Sequence, residues 1–171
     1  MRRSLAWRIA LSGVLTSLML VLGLVERQFP LPVGIPGIKL GLANSVLLYG
    51  VYMLGIRQTV ILMLLKTLMG WFIYSNLNAM LYSLAGGMLS VIAMVSISKI
   101  SGMSVIGASA AGAVCFNIGQ VLVAVIMLHT PQLLLTYLPV LMVSGVLTGV
   151  LTGFVAKLVM RHLAAINRTH V

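Results

Sequence analysis

Residues 138–160 read LPVLMVSGVLTGVLTGFVAKLVM, an apolar run with a single charged side chain, Lys157. A transmembrane helix needs roughly 20 consecutive, mostly apolar residues to cross the hydrocarbon core of a bilayer, and this run is long enough. Five more runs of the same kind lie at residues 9–25, 40–56, 58–75, 79–98 and 104–128. The sequence therefore predicts an all-α integral membrane protein with six transmembrane helices in a single domain over residues 1–171.

Composition supports this prediction independently. Hydrophobic residues make up 61% of the chain and charged residues 7%, which leaves too little polar surface for a soluble domain. The net charge is +10, which in a soluble protein would suggest nucleic-acid binding. Here the basic residues sit singly at the ends of the apolar runs, so we expect a protein embedded in the lipid bilayer and no nucleic-acid binding. The first run is long for a signal peptide, and no small-residue cleavage pattern follows it at Glu26, so we interpret it as a transmembrane helix.

The distribution of basic residues predicts the orientation, because Lys and Arg in short loops favour the cytoplasmic side. With both termini inside, the outer side receives only Arg27 and Lys39, and Lys66 falls within the third run. The inner side receives all the others: Arg2, Arg3, Arg8, Arg57, Lys99, Lys157, Arg161 and Arg168. The outer side also carries the first loop, where residues 29–37 read FPLPVGIPG. Its prolines and glycines disfavour a regular helix, and its apolar residues predict an ordered lid, with an exposed linker as the alternative.

Small residues indicate how the predicted helices pack, because helices in lipid approach most closely where side chains are small. Gly145, Gly149 and Gly153 recur every four residues in the sixth run, and we interpret them as a helix-packing ridge. Ala6 and Ala10 form a similar pair at the start of the first run. This pair is predicted to meet either another helix of the chain or another subunit.

Catalysis by this chain alone is not expected, because Glu26 is its only acidic side chain. One carboxylate provides neither a general acid and base pair nor an acidic cluster that holds Mg²⁺ against a diphosphate. The histidines lack the spacing and the cysteine partners of a metal site, and no nucleotide-binding loop occurs. We therefore predict no enzyme activity, no metal site and no cofactor.

Lys66 is the most informative polar residue, because it lies near the middle of the third run. Ionisable side chains within a membrane are costly and are candidates for function. Two interpretations stay open: Lys66 faces a cavity that takes an anionic ligand, or it is a structural lysine bonded to neighbouring helices.

Several amides are predicted to lie at a similar depth toward the outer side. Asn117 and Gln120 are three residues apart and share a helix face. With Lys66, the candidate substrate-binding residues are Lys39, Asn44, Asn76, Asn117 and Gln120. For any single asparagine, a hydrogen bond between helices is the alternative. Their shared depth predicts a small polar pocket beneath the first loop, and the lysines make it suited to an anion.

Several motifs resemble those of a family of small bacterial membrane proteins, the Gx transporter family, also called heptaprenyl diphosphate synthase component I. These motifs read PGIKLGLAN at residues 36–44, SLAGGMLS at 83–90, GAVCFNIGQ at 112–120 and YLP at 137–139, with Ser144 and Gly145. The resemblance covers nearly the whole chain. This sequence departs from the family where Phe116 replaces a usual histidine, and where an arginine is common near Lys66.

That family is in turn similar to the S components of energy-coupling factor transporters, which bind a vitamin-sized ligand under their first loop. The resemblance implies an S-component-like bundle in the bacterial cytoplasmic membrane, which docks through a pair such as Ala6 and Ala10 onto the transmembrane subunit of an ATPase module. The first hypothesis is therefore a substrate-binding transporter subunit for a small, anionic or amphipathic molecule. The alternatives are a non-catalytic accessory subunit of heptaprenyl diphosphate or menaquinone synthesis and a structural subunit of a membrane redox assembly.

Overall fold

The computed structural model describes residues 5–28 and 42–169, and every regular element in these ranges is an α-helix. The helices are α1 (Leu5–Gln28), α2 (Asn44–Met53), α3 (Ile56–Tyr74), α4 (Leu77–Ser98), α5 (Val105–Leu128), α6 (Gln132–Thr136) and α7 (Leu138–Thr169). Five of them, α1, α3, α4, α5 and α7, are long and apolar enough to cross a bilayer. The chain is therefore a multi-pass membrane protein.

The second apolar run differs from the prediction, because its helix α2 has only ten residues. At a rise of about 1.5 Å per residue it is about 15 Å long, which is half of the roughly 30 Å hydrocarbon core. Gly55, with a φ of 90°, separates α2 from α3, and this left-handed conformation favours glycine. Six full spans and the orientation stay predictions, and the first loop lies outside the described residues.

Two sets of hydrogen bonds show that the chain nevertheless returns between α1 and α3. At the end of α1, the Glu26 carboxylate accepts a hydrogen bond from the Leu42 amide at 2.7 Å. At the start of α3, the Gln58 amide donates to the Ser12 hydroxyl at 3.0 Å and lies 3.4 Å from the Arg8 carbonyl oxygen. Consequently α1 and α3 run in the same direction, and residues 42–58 bring the chain back.

Helix α5 is the centre of the tightest packing in the bundle, between α4 and α7. A Cβ atom on Gly119 would lie 2.7 Å from the Cα of Gly86 in α4. A Cβ atom on Gly149 of α7 would lie 2.6 Å from the Cα of Ala110, and one on Gly153 would lie 2.7 Å from the Cβ of Ser109. These separations are shorter than side chains tolerate, so the glycines allow the helix backbones to approach closely.

Basic residues gather at the end of the bundle where α1 and α3 begin and α4 ends. We call this the basic end, and it carries Arg8, Arg57, Lys99, Lys157 and Arg161. The second half of α7 lies at this end because α5 and α7 are antiparallel: Gly145 faces Asn117, whereas Gly153 faces Ile106 and Ser109.

Candidate functional site

A small pocket lies between α1, α3 and α4 and contains the membrane-embedded lysine. Its wall includes Met19 of α1, Lys66 and Thr67 of α3, and Asn76 and Ser83 from the α4 segment. The cavity measures about 30 Å³, enough space for about two water molecules. The pocket therefore brings together a cation, an amide and hydroxyl groups at a depth where the surrounding solvent is lipid.

The side chain of Lys66 extends beyond this pocket toward α5. Its Nζ lies 5.5 Å from the centroid of the Phe116 ring, within the distance at which an ammonium group is attracted to an aromatic face. The glycine pair of α4 makes this approach possible, because a Cβ on Gly86 would lie 2.9 Å from the Phe116 ring and one on Gly87 would lie 3.0 Å from Met63. Lys66 is half-buried as a result.

Three buried residues have side-chain polar atoms without a hydrogen-bond partner within the part of the chain that the structure describes. They are Thr16, Asn44 and Ser90, and for Asn44 this holds for both the amide nitrogen and the amide oxygen. Asn44 is 3% exposed and Ser90 is fully buried. Leaving such groups unsatisfied away from water costs about 1–3 kcal/mol each, so they require an explanation.

The three residues lie on elements that meet in one place. Residues next to them in sequence, Leu15, Ala43 and Val91, belong to a single hydrophobic core cluster formed by α1, the start of α2, α3 and α4. Met19 belongs to the same cluster and also lines the pocket with Lys66. The helices that carry the unsatisfied polar atoms are therefore the ones that also form the lysine pocket or pack against it.

Asn117 and Gln120 lie on the other side of the bundle, between α5 and α7. The Asn117 amide donates to the carbonyl oxygen of Leu141 at 2.6 Å, and the Gln120 amide donates to the Asn117 oxygen at 3.3 Å. Both residues are fully buried, and Gly145 packs against the Asn117 nitrogen. The structure thus places this pair in a hydrogen bond between helices and does not bring it into the pocket of Lys66.

The remaining candidates occupy separate places. Asn76 is exposed, and its side-chain oxygen accepts a hydrogen bond from the Ala79 amide, so it caps the start of α4. Ala6 and Ala10 are exposed on α1. Lys39 lies outside the described residues. Of the predicted polar set, therefore, Lys66 and Asn76 share a pocket, and Asn44 lies at the adjacent helix junction.

Sequence reasoning missed Ser90, Thr67 and Phe116 as parts of this region. Ser90 appeared only as the last residue of the SLAGGMLS motif, and Phe116 stood out only as a departure from a family pattern. A signal was available for Thr67, because a hydroxyl next to a lysine within an apolar run is another polar group in lipid; its hydroxyl donates to the Met63 carbonyl at 2.9 Å. Glu26 was considered only for catalysis, yet it joins α1 to the residues before α2.

The described residues contain no group of three His, Cys, Asp or Glu side chains close enough to hold a metal ion. The candidate site can bind a molecule through charge, amide and hydroxyl groups. Glu26, the only carboxylate among the side chains, lies outside this pocket and accepts a hydrogen bond from the Leu42 amide.

The apolar helices and the site buried among them define a multi-pass membrane protein with a polar region inside the bundle. The family described as heptaprenyl diphosphate synthase component I matches residues 15–159, from within α1 to within α7, and the chain belongs to this family. The searches of curated proteins and of solved structures found no match. The family description names one component of a synthase and so implies association with other subunits.

Proposed function

We propose that the protein is the membrane-embedded substrate-binding subunit of a transporter, for a small, anionic or amphipathic molecule, and that a separate ATPase module supplies the energy. The observation that supports this most is Asn44, whose buried amide has a donor and an acceptor without partners among residues 5–28 and 42–169. A polar group in this position costs free energy in the empty protein. A ligand with its own donor and acceptor removes that cost.

Lys66 supports a preference for anions. Lys66 lines the pocket between α1, α3 and α4 and is only half-buried, so its ammonium group attracts negative charge in a medium of low dielectric constant. The cavity of about 30 Å³ is too small for a ligand, since small-molecule sites measure roughly 300–1,000 Å³. Binding is therefore proposed to move α1, whose backbone comes close only to α2 and α3 among the described helices.

The need for an ATPase module follows from the scarcity of acids. Proton-coupled carriers use membrane-embedded carboxylates as relays, and Glu26, the only acidic side chain, lies at the end of α1 in a hydrogen bond to Leu42. Energy is therefore proposed to come from a partner. Ala6 and Ala10 are exposed on one stretch of α1, as a docking surface for that partner requires.

The test is native mass spectrometry of the full chain, extracted gently from its own membrane, with retained small molecules and retained proteins recorded together. Asn44→Leu is expected to release the small molecule and keep the partner, whereas the exposed control Asn78→Leu keeps both. Ala6→Trp with Ala10→Trp is expected to release the partner and keep the small molecule, and Val21→Trp farther along α1 serves as the control. Purification of the wild-type chain with neither a small molecule nor an ATPase module contradicts the proposal.

The family description supplies a second candidate, a non-catalytic membrane subunit of heptaprenyl diphosphate or menaquinone synthesis. In that case the purified protein alone has no prenyl transferase activity, and a soluble synthase from the same cell depends on it. The measurement is the rate and the product chain length of that synthase with and without the protein in liposomes. An unchanged rate and chain length removes this candidate.

A further inference from the structure

The wall of the Lys66 pocket, as far as residues 5–28 and 42–169 form it, offers hydrogen-bond donors and no carboxylate. Lys66 supplies an ammonium group and Trp71 an indole N–H, and both groups can only donate. The side-chain oxygen of Asn76 already accepts the Ala79 amide, so its NH₂ group is what remains for a ligand. Ser83 adds a hydroxyl. A wall of this kind selects a ligand group that accepts hydrogen bonds and carries negative charge.

The ammonium group of Lys66 can turn from the Phe116 ring to such a ligand. Its distance of 5.5 Å from the ring centroid is close to the limit of about 6 Å for the attraction between a cation and an aromatic face. The four-carbon stem of a lysine is flexible. An anion presents a full negative charge and a charge-assisted hydrogen bond, whereas the ring presents only its quadrupole. The ammonium group therefore favours the anion.

The size and charge of the pocket favour a carboxylate over a phosphate. Its volume of about 30 Å³ has space for about two water molecules, which the two oxygen atoms of a carboxylate can fill. A phosphate ester brings three terminal oxygen atoms and a charge of about −1.5 to −2 at pH 7. Lys66 is the only basic side chain on the described wall, so it balances one negative charge. A second charge buried without a partner is strongly disfavoured.

The outer part of the pocket is suited to a flat ring. Trp71 lies five residues after Lys66, about 7.5 Å along α3, and is 38% exposed. On the α1 wall Gly23 is buried, yet no atom lies within 4 Å of the position that a Cβ atom would occupy. A planar ring can therefore stack on the indole and lie against the bare glycine. Any further space comes from the movement of α1 that the proposed function already requires.

We propose that this pocket binds an aromatic monocarboxylate, with the carboxylate at Lys66 and the ring on Trp71, and that it rejects phosphate and diphosphate esters. This inference rests on the proposed function, because it names the class of molecule that the same site takes. It can fail by itself, since binding to the purified chain requires neither transport nor a partner protein.

The test uses the fluorescence of Trp71 in the purified full chain in a neutral detergent. The chain has two tryptophans, so a Trp7→Phe background leaves Trp71 as the only one. 4-Nitrobenzoate, a planar carboxylate whose nitro group quenches indole fluorescence, is expected to quench in a saturable way and to be displaced by benzoate. The neutral 4-nitrobenzamide and the more highly charged 4-nitrophenyl phosphate are expected to bind at least about tenfold more weakly.

Two pairs of variants in that background locate the site. Lys66→Met is expected to weaken 4-nitrobenzoate binding at least about tenfold, whereas Lys99→Met, at the basic end, leaves it unchanged. Gly23→Met fills the space beside Trp71 and is expected to abolish saturable quenching. Gly13→Met, on an exposed part of α1 where a Cβ atom also meets no atom within 4 Å, retains it. Thermal unfolding in the same detergent verifies that each variant is folded.

Several results overturn the inference: no saturable quenching by 4-nitrobenzoate, equal affinity for the amide or the phosphate ester, or unchanged affinity in folded Lys66→Met or Gly23→Met. Native mass spectrometry judges the proposed function separately. A retained ATPase module together with a retained molecule that is not a carboxylate keeps the transporter and overturns the carboxylate class. Binding of 4-nitrobenzoate by a chain that purifies without such a module keeps the site and contradicts the transporter.

Discussion

The two sides of this bundle are built differently. Around α5, glycines of α4 and α7 bring helix backbones into direct contact, and the amide of Asn117 bonds to the α7 backbone. Around α1, the contacts are fewer, the glycine Gly13 has no atom near its Cβ position, and a groove and a polar pocket are left open. The difference indicates that α4, α5 and α7 form a tightly packed frame, whereas the cavities lie on the side where α1 is attached.

The largest effect is expected from a methyl group placed inside the tightly packed frame. Gly149→Ala directs a Cβ atom to within 2.6 Å of the Ala110 Cα, so α5 and α7 must separate. We expect a loss of about 3 kcal/mol in the free energy of unfolding, the upper part of the usual range for overpacking, measured by denaturant-induced unfolding in detergent. Val150→Leu, at an exposed neighbouring position, is the control, and equal stability of the two variants contradicts the description of a tight frame.

A smaller effect is expected when the amide bond between α5 and α7 is removed. Asn117→Leu keeps the approximate size of the side chain but leaves the Leu141 carbonyl without this donor. We expect a loss of about 1–2 kcal/mol, as for other hydrogen bonds between transmembrane helices, measured in the same unfolding assay. If the variant instead loses a bound small molecule and keeps its stability, Asn117 belongs to the binding region. That result would contradict the distinction between the packed α5 side and the open α1 side.

The attachment of α1 can be tested at its far end. Glu26→Leu removes the acceptor of the Leu42 amide, and hydrogen bonds to charged groups contribute about 1.5–3 kcal/mol. Hydrogen exchange measured by mass spectrometry is therefore expected to be at least about tenfold faster at Leu42. Exchange in the α5 segment remains unchanged, and Gln28→Leu, at an exposed position of the same helix end, leaves Leu42 protected.

The smallest effect is expected at Gly13, on the loosely packed side. No atom lies within 4 Å of the position that a Cβ would occupy there, and alanine favours a helix over glycine by about 1 kcal/mol. Gly13→Ala is therefore expected to leave stability unchanged or to raise it by up to about 1 kcal/mol, in the unfolding assay used for Gly149→Ala. A destabilisation as large as that of Gly149→Ala would mean that both sides are packed alike.

Hydropathy predicted the long helices correctly but not where helices end. The run at 40–56 is continuous in apolar character, yet α2 ends at Met53 before the left-handed Gly55, because backbone conformation and not hydropathy terminates the helix. The run at 138–160 is shorter than its helix, since α7 continues to Thr169. The last turns of α7 contain polar residues, and a helix that extends beyond the hydrocarbon has no hydropathy signal there.

The sequence predicted a shared depth for the polar residues but could not predict the helix that each one faces. Asn44 and Asn117 look alike in the sequence, as single amides in apolar runs. In the structure Asn117 meets a carbonyl of α7, whereas Asn44 has no partner among the described residues. Which neighbour an amide meets depends on how the helices are arranged around each other, and periodicity within one helix does not contain that information.

The way α2 ends has a consequence for how this protein tolerates motion. Its last turn lies at the basic end of the bundle, directly before the start of α3 and four residues before Arg57. At that end the Leu54 and Gly55 amides donate to the Gly50 carbonyl, and the Thr59 hydroxyl donates to the Gly55 carbonyl. None of these hydrogen bonds involves α1, so the turn that joins α2 to α3 keeps its shape when α1 shifts against its neighbours.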